Sequence, residues 1–555
     1  MKFLRPLLSV LLLVALPAWA AAPKPPQAAV ASAHPLATQA GMEILAQGGN
    51  AFDAAVAVSA ALAVVEPYSS GFGGGGLWLL HRASDGFDTL VDGREYAPGA
   101  ASAAMYQDKD GNVIPGASTE GPLSTAIPGM PAALAYMAKK YGRLGLAQDL
   151  APAIRLARDG FPLDTRFHER LLSKQDVLQR WPAAAAAFLD HGQVPAVGWL
   201  LKQPDLAATF ELLAKQGDAG FYAGTRAQQL VDGVRAGGGI WTLDDLKQYK
   251  VVERKPLSGD YHGMHVVSAP PPSSGGVVLI EILNILSGYD LAKLDPATRT
   301  HMVIEAMRYA YHDRADYLGD PDFVQMPLAL LMSPDYAAGL RATILVDKAT
   351  PSSALTPVVT PDQGPQTTHY SVLDKDGNRV SGTVTVNFSF GSGFMAPGTG
   401  VILNDEMDDF SAKPGTPNGY GLVGNTANAI APHKRPLSSV TPTFLETKDG
   451  VAILGTPGGG RIITMVLLGA LDFFAGGDAK SIVSLPRYHH QYLPDVVAYE
   501  DGALSDAEVA ALEKMGYTLK DQGRWGNMQA ITWDYKTGKV TAASDPRGIG
   551  TAEVH

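Results

Sequence analysis

Hydrophobic residues recur at helical spacing over two long stretches near the start of the chain. Apolar positions three and four residues apart predict helices over 34–47 and 51–65, the second with Asn50 as its N-cap and Asp53 at the capping-box position. Both stretches are rich in alanine, and small side chains suit close packing against a sheet. The same spacing predicts further helices over 131–141, 150–158, 205–216, 225–236, 244–249, 277–285, 301–317 and 462–474.

Alternating apolar residues predict strands between and after these helices. The predicted strands cover 77–80, 255–267, 367–373, 380–387, 531–535 and 540–542. An Asp-Gly pair, Asp376-Gly377, lies between the third and fourth of them, and this pair between two strand-like runs is a strong hairpin signal. Helices before and after two sets of strands indicate a layered α+β fold.

The first 20 residues have the pattern of a secretory signal peptide. Lys2 and Arg5 give a positive start, 6–16 is an apolar core, and a small-x-small cleavage site ends at Ala20. The apolar core is well short of the roughly 20 residues that a membrane span needs, which argues against an anchor. We expect cleavage after Ala20, with Ala22 as a second option, and a periplasmic or secreted mature protein without a membrane span.

The composition excludes several classes of function. None of the 555 residues is cysteine, so disulfides, thiol nucleophiles and cysteine-ligated metals are excluded. The formal net charge is −11, and removal of Lys2 and Arg5 makes it about −13 (−11 − 2), so we expect no nucleic-acid partner. The glycine run over 71–76 lacks the Gly-Lys-Ser/Thr ending of a phosphate-binding loop, which argues against a nucleotide site.

Thr367 carries the most specific chemistry of the chain. It stands at the start of a predicted strand, directly after a loop rich in proline and glycine that ends at Gln366. Scission of the Gln366–Thr367 bond would give Thr367 a free α-amine, which titrates near pH ~8 and can act as general base toward the adjacent hydroxyl. An ordinary loop and hairpin without scission is the alternative that this segment alone leaves open.

Four more motifs follow the order of a known family. Besides Thr-Thr-His-Tyr-Ser-Val at 367–372, the chain has Asp-Gly-Arg-Glu at 92–95 and acid-rich 404–410, then Lys-Arg-Pro-Leu-Ser-Ser at 434–439 and a glycine-rich turn within 455–462. Together, over about 31–547, they resemble the γ-glutamyltransferase (γ-glutamyl transpeptidase) family of N-terminal-nucleophile hydrolases. The resemblance implies a four-layer αββα sandwich, no cofactor, and a precursor cleaved into a large subunit, 21–366, and a small subunit, 367–555, that stay interlocked.

The resemblance also implies how a γ-glutamyl group is bound. Arg94 occupies the family position for the α-carboxylate, where a guanidinium fork gives bidentate hydrogen bonds, and Ser438 and Ser439 supply hydroxyls beside it. The resemblance implies that the α-ammonium is bound by Glu406, Asp409 and Asn387. From the residues alone, a surface ion pair at Arg94-Glu95, a plain turn at the serines and a solvated acidic loop over 405–409 remain open alternatives.

The resemblance assigns the remaining site residues as well. Gly458 and Gly459 match the oxyanion-hole pair, where the absence of side chains lets backbone N–H groups approach the developing oxyanion. Thr385 resembles a threonine that hydrogen-bonds the nucleophile, and Tyr420 resembles the wall residue of a lid loop over 414–420. A lid would exclude water and favour amine acceptors.

Two further features carry weaker signals. His489 and His490 are adjacent on a predicted strand, so they face opposite sides, and with no third ligand evident we predict structural roles and no metal site. Asp405 stands where asparagine is usual in the family, which predicts a local change in hydrogen bonding.

The leading hypothesis is an autoprocessed γ-glutamyltransferase that hydrolyses glutathione and other γ-glutamyl amides. It would transfer the γ-glutamyl group to amino acids, peptides or water through a γ-glutamyl-Thr intermediate. A glutaryl-cephalosporin (β-lactam) acylase of the same fold is one alternative, and Glu406, Asp409 and Asn387 argue against it. A non-catalytic periplasmic binding protein is another, and the intact Thr367 and Thr385 argue against that.

Overall fold

The computed structural model describes residues 24–355 and 367–555. The predicted signal peptide and Gln366, on one side of the predicted scission bond, lie outside the described residues. Within the two described ranges, no helix is both long enough and apolar enough to cross a membrane.

The chain folds into seventeen α-helices in the described part. They are α1 (Pro35–Ala46), α2 (Ala51–Val65), α3 (Met130–Lys140), α4 (Leu146–Asp159), α5 (Thr165–Gln179), α6 (Pro182–Phe188), α7 (Pro204–Gln216), α8 (Ala219–Tyr222), α9 (Gly224–Ala236), α10 (Leu243–Gln248), α11 (Gly275–Leu286), α12 (Pro296–Tyr317), α13 (Leu328–Leu331), α14 (Pro334–Arg341), α15 (Arg461–Phe474), α16 (Ala479–Ser484) and α17 (Asp506–Met515).

Eighteen strands complete the regular structure of the described residues. They are β1 (Ala29–Ser32), β2 (Gly75–Arg82), β3 (Phe87–Gly93), β4 (Phe161–Pro162), β5 (Leu200–Leu201), β6 (Val252–Arg254), β7 (Leu257–Tyr261), β8 (Met264–Ser268), β9 (Thr368–Leu373), β10 (Arg379–Thr385), β11 (Thr443–Thr447), β12 (Gly450–Gly455), β13 (Tyr488–His489), β14 (Val497–Tyr499), β15 (Leu519–Asp521), β16 (Gln529–Asp534), β17 (Val540–Ser544) and β18 (Thr551–Val554).

Two antiparallel sheets face each other in the middle of the molecule. The first has the strand order β18-β1-β9-β10-β2-β3-β6 and the second has the order β17-β16-β12-β11-β8-β7. Strands β9 and β10 pack on β12 and β16 across the two sheets. Helices cover both outer faces, so the predicted four-layer αββα sandwich is confirmed.

The side chains of β2 show how the layers are held together. Leu77 and Leu79 belong to the core shared with the second sheet, whereas Trp78 and Leu80 belong to the core shared with the outer helices. Because successive residues of a strand point to opposite faces, a strand covered on both sides is apolar throughout. The predicted capping box of α2 is also present, with Asp53 accepting a 2.8 Å hydrogen bond from the backbone N–H of Asn50.

The sheet order interleaves the two proposed subunits. Strand β1, from the 21–366 segment, lies between β9 and β18, which both belong to 367–555. Strand β10 pairs in turn with β2 of the first segment, and β11 pairs with β8 in the second sheet. Each proposed subunit therefore depends on the other to complete both sheets.

Several local predictions were wrong. The single strand predicted over 255–267 is the hairpin of β7 and β8, which turns at His262-Gly263, where both residues have a positive φ. Helices α5, α6 and α17 were not predicted, because their many polar and alanine residues weaken the apolar periodicity. Strand β10 ends at Thr385, so Asn387 follows the strand and has a φ of 72° rather than lying on it.

Candidate active site

Thr367 and Thr385 meet at one end of the β9–β10 hairpin. Thr368 pairs with Val384, so the next pair outward brings Thr367 opposite Thr385. Their Oγ1 atoms are 3.4 Å apart. The Thr385 oxygen accepts a 2.8 Å hydrogen bond from the N–H of Asn387, which leaves its own hydroxyl hydrogen to be donated to Thr367.

Asn387 is oriented by its backbone conformation and by the loop that follows. Its left-handed φ of 72° turns the chain sharply after β10, and its Nδ2 donates to the carbonyl of Asp405 at 3.0 Å. With Nδ2 bound, its side-chain oxygen is the group that remains to accept from a ligand. Asn387 lines the same cavity as Thr367.

Arg94 lies in a buried cluster of charges directly after β3. It is only 1 % exposed, and it donates to Glu406, to Asp409 and, through Nε at 3.2 Å, to the carbonyl of Pro436. A fourth partner, Glu95, lies 3.6 Å away. The surface ion pair and the solvated acidic loop that the sequence left open are therefore both wrong.

The acidic turn Glu406–Asp409 is fixed by one asparagine. Asn404 accepts from the N–H groups of Ala126 and Glu406, and it donates to the carbonyls of Gly73 and Ala126. These bonds hold the carboxylates in place without using their oxygens. The turn is thus rigid while its charges stay available for Arg94 and a ligand.

Burial disfavours charge on the carboxyls of this cluster. Burial raises the pKa of Glu406 to about 7, although Arg94 opposes the shift, and it raises the pKa of Asp409 in the same way. Burial and the nearby Glu406 hold the pKa of Glu95 well above its ordinary range. Glu406 Oε2 has no hydrogen-bond partner among the described residues, and Glu406 lines the cavity. An unpartnered buried acceptor facing a cavity is a site for a donor such as an ammonium group.

Ser438 and Ser439 also line the cavity. The Ser438 Oγ accepts from the N–H of Val440 at 3.3 Å, and the Ser439 Oγ accepts from Arg314 on α12 at 3.0 Å. In both serines an incoming hydrogen bond occupies the oxygen, so the hydroxyl hydrogen can be donated elsewhere.

The glycine turn between β12 and α15 has the backbone that an oxyanion hole requires. Gly458 has a φ of 153° and Gly459 a φ of 55°, and neither N–H donates to another group in the described chain. A Cβ on Gly459 would lie 2.5 Å from the ring of Tyr420. Gly459 lines the cavity, whereas Gly458 is not among its lining residues. The hydroxyl of Tyr311 on α12 donates to the carbonyl of Gly460 and fixes the turn.

Tyr420 closes the cavity on a further side. Its ring stacks on Phe388 at 4.5 Å, and its hydroxyl donates to the carbonyl of Asn387 at 3.0 Å. The loop before it is tied to the acidic turn, because the N–H of Gly419 donates to Asp408 at 2.8 Å. Tyr420 lines the cavity, and its role as a lid residue stays a prediction.

The cavity brings most of the predicted site residues together. It is lined by Thr367, Thr385, Asn387, Glu406, Asp409, Tyr420, Leu422, Ser438, Ser439, Val440, Gly459 and Ile462. Arg94 lies behind the carboxylates that it contacts. The sequence analysis missed Arg314, Tyr311 and Asp408, because the contact of each side chain joins residues far apart in the sequence.

No metal centre is found in the described ranges, where no group of three or more histidine or acidic side chains could hold a metal ion. His489 bonds to Thr464 and Gln491, and His490 bonds to Asp495 and accepts from the N–H of Tyr492. Burial lowers the pKa of His489 to about 3 and that of His490 to about 4, so both rings are neutral.

The two facing sheets and the threonine at the head of a central strand define an N-terminal-nucleophile hydrolase. Among solved structures, cephalosporin acylase from Bacillus halodurans is similar over 99% of this chain and 99% of its own, with a TM-score of 0.84 and 28% identity. The structure of Helicobacter pylori gamma-glutamyltranspeptidase is similar over 59% of this chain and 94% of its own, with a TM-score of 0.58 and 40% identity.

Sequence comparison narrows this class to one family. The family model for gamma-glutamyltranspeptidase matches residues 37–555. The glutathione hydrolase proenzyme of Pseudomonas sp. (strain A14) is 50% identical over 493 residues, which cover 88% of this chain and 85% of that protein. This chain belongs to the gamma-glutamyltranspeptidase family and is an enzyme, so the predicted family is confirmed and the non-catalytic binding protein is excluded.

Proposed function

We propose that this protein is a glutathione hydrolase and γ-glutamyltransferase whose nucleophile is Thr367. The observation that carries the proposal is the position of the Thr367 hydroxyl, 3.4 Å from that of Thr385, in a cavity that also presents two carboxylates and two serine hydroxyls. Such a cavity matches a ligand end that carries both an ammonium and a carboxylate, as a γ-glutamyl group does.

Self-cleavage comes first. The Thr367 hydroxyl attacks the carbonyl of Gln366, the bond to the Thr367 nitrogen breaks, and water hydrolyses the resulting ester to give chains 21–366 and 367–555. The released α-amine of Thr367 then serves as general base, because its reference pKa lies near ~8. The relatives named as proenzymes support a cleaved precursor.

Donor binding rearranges the charge cluster. Arg94 is paired with Glu406 and Asp409. When the donor binds, its α-carboxylate becomes a new acceptor for Arg94 and the serine hydroxyls, and its α-ammonium donates to Glu406 Oε2, Asp409 and the side-chain oxygen of Asn387. Before the donor binds, the ion pairs of Arg94 with Glu406 and Asp409 neutralise the charges that the donor's carboxylate and ammonium would pair with, and they limit the cost of burying these charges.

Acyl transfer follows from this placement. Thr367 Oγ1 attacks the γ-carbonyl carbon, its proton passes to the α-amine, and the N–H groups of Gly458 and Gly459 stabilise the oxyanion. The amide C–N bond breaks, and the leaving amine takes the proton and departs. Water or an acceptor amine then attacks the γ-glutamyl ester and frees the Thr367 hydroxyl.

The similarity to cephalosporin acylase makes the acylase the alternative to test. A comparison of the rates with two donor substrates distinguishes the two functions. The purified protein should release the aniline from a γ-glutamyl anilide far faster than it deacylates glutaryl-cephalosporin, which has no α-ammonium to pair with Glu406 and Asp409. A preference for the glutaryl donor would reject the proposal. A denaturing gel of the same sample should show two chains.

We propose further that residues 1–20 are removed and that the mature enzyme is periplasmic or secreted. The proposal rests on the sequence pattern of that segment. Fractionation of expressing cells, with N-terminal sequencing of the large chain, tests it. A large chain that starts at Met1 in the cytoplasm would contradict it.

A further inference from the structure

Arg314 is a buried guanidinium with an unusual set of partners. It is 5% exposed, and its side chain donates to two hydroxyl oxygens, those of Ser274 at 2.9 Å and Ser439 at 3.0 Å. No carboxylate oxygen lies within 4.0 Å of it in the described residues. The other arginines that are exposed by 5% or less do have such a carboxylate: Arg94, Arg308, Arg379 and Arg487.

A buried cation without a counter-ion costs free energy that the fold must offset. Burial accordingly lowers the pKa of Arg314, although Asp409 acts in the opposite direction. A ligand that brings a carboxylate to Ser438 and Ser439 would supply the missing negative charge. The positive charge of Arg314 behind Ser439 therefore favours an anionic group at this side of the cavity.

The contact with Ser439 also decides the direction of a hydrogen bond. A guanidinium can only donate, so the Ser439 oxygen accepts from Arg314 and its hydroxyl hydrogen is available for another acceptor. Ser274 extends the arrangement, because its hydroxyl accepts from Arg314 and donates to the carbonyl of Ser438 at 2.8 Å. The two cavity serines are thus held by one arginine that does not itself line the cavity.

We propose that Arg314 is a positioning residue for the donor's α-carboxylate. It holds the Ser439 hydroxyl as a hydrogen-bond donor toward that group and adds a second buried positive charge to that of Arg94. The inference rests on the proposed function and deepens it, because Arg314 acts on the carboxylate subsite through Ser439 and does not itself line the cavity.

The test compares two competitive inhibitors that differ by one α-carboxylate, L-glutamate and 4-aminobutyrate. Their inhibition constants are measured against a γ-glutamyl anilide with processed wild type, Arg314→Gln, Arg314→Lys and Ser439→Ala. Arg314→Gln should raise the constant for L-glutamate about tenfold, which corresponds to about 1.4 kcal/mol, and should leave that for 4-aminobutyrate within about twofold. Arg314→Lys keeps the positive charge but lacks the guanidinium fork, so its inhibition constant for L-glutamate should lie between those of wild type and Arg314→Gln.

A double-mutant cycle and a matched control separate positioning from general damage. Arg314→Gln combined with Ser439→Ala should be within about twofold of the worse single variant, because both changes remove one arrangement. Tyr311→Phe removes another polar contact of the same helix, to Gly460, and should leave the ratio of the two inhibition constants unchanged.

The inhibition constants separate a failure of the Arg314 inference from a failure of the proposed function. Equal rises for both inhibitors in Arg314→Gln, or no rise for L-glutamate, would overturn the inference. If Arg314→Gln yields no processed protein, Arg314→Lys decides, and an unchanged ratio in that variant overturns the inference. A wild-type protein without γ-glutamyl anilide activity would instead reject the proposed function.

Discussion

Donor affinity should fall as the pH is lowered through 7, because Glu406 must be charged to bind an ammonium. Burial raises the pKa of its carboxyl to about 7. A carboxyl with a raised pKa is neutral below that value, so the sign is fixed: acidification removes the charge that pairs with the donor. The unpartnered Oε2 is the atom whose interaction with the ligand is lost.

The size of the effect follows from the titration. One pH unit below the pKa, about one tenth of Glu406 is ionised, so the inhibition constant of L-glutamate at pH 6 should be roughly five to ten times its value well above pH 7. The rise should level off because Asp409 and Asn387 still bind the ammonium. Loss of one hydrogen bond to a charged group costs about 1.5–3 kcal/mol, which sets a plateau between roughly 10-fold and 150-fold.

The assay measures the inhibition constant of L-glutamate between pH 5.5 and 7.5. In this range the inhibitor itself hardly titrates, since its carboxyl groups have ionised and its amine is still protonated. Glu406→Gln is the matched control, because it keeps the shape of the side chain. It should bind L-glutamate weakly and nearly independently of pH. A pH dependence that persists unchanged in this variant would refute the reasoning and point to Asp409.

Three further predictions address processing, the lid and stability. Thr367→Ala should remain a single uncut and inactive chain, and a two-band denaturing gel of this variant would disprove the assigned nucleophile. Asp408→Asn cannot accept from both Ser118 and the N–H of Gly419, so it should loosen the lid loop and raise the ratio of hydrolysis to transfer, measured as free glutamate against γ-glutamyl product; an unchanged ratio speaks against the lid. Burial holds the pKa of Asp405 well above its ordinary range, so keeping Asp405 in the folded protein costs more stability as the pH rises toward that raised pKa. Asp405→Asn should therefore raise the melting temperature more at pH 8 than at pH 5. Equal increases in melting temperature at both pH values would count against this.

The sequence predicts the hairpin and the motif residues well, because both depend on local signals. Alternation over β9 and β10 and the Asp-Gly turn are enough to bring Thr367 beside Thr385. The roles predicted for the individual site residues remain predictions. The order of the motifs along the chain is enough to predict that their residues lie in one site, and most of them line one cavity.

The sequence could not predict the environment of the charges. The acidic turn Glu406–Asp409 has the composition of a solvated loop, and it is buried beside partners such as Arg94 and Ser118 that are about 300 positions away in the sequence. Arg314 could equally face solvent on a long helix. Its contact with Ser439 joins residues 125 positions apart, and no local pattern encodes such a pair.

Interleaved strands give the proposed scission a consequence for refolding. Strand β1 lies between two strands of the 367–555 segment, so neither subunit can complete the first sheet alone. The precursor refolds as one molecule, with its segments held at high effective concentration by the intact chain. After scission, unfolding yields two molecules, and recovery becomes a bimolecular reaction that slows on dilution. The mature enzyme's persistence then depends on how slowly it unfolds, whereas the Thr367→Ala precursor should regain its fold equally well at any dilution.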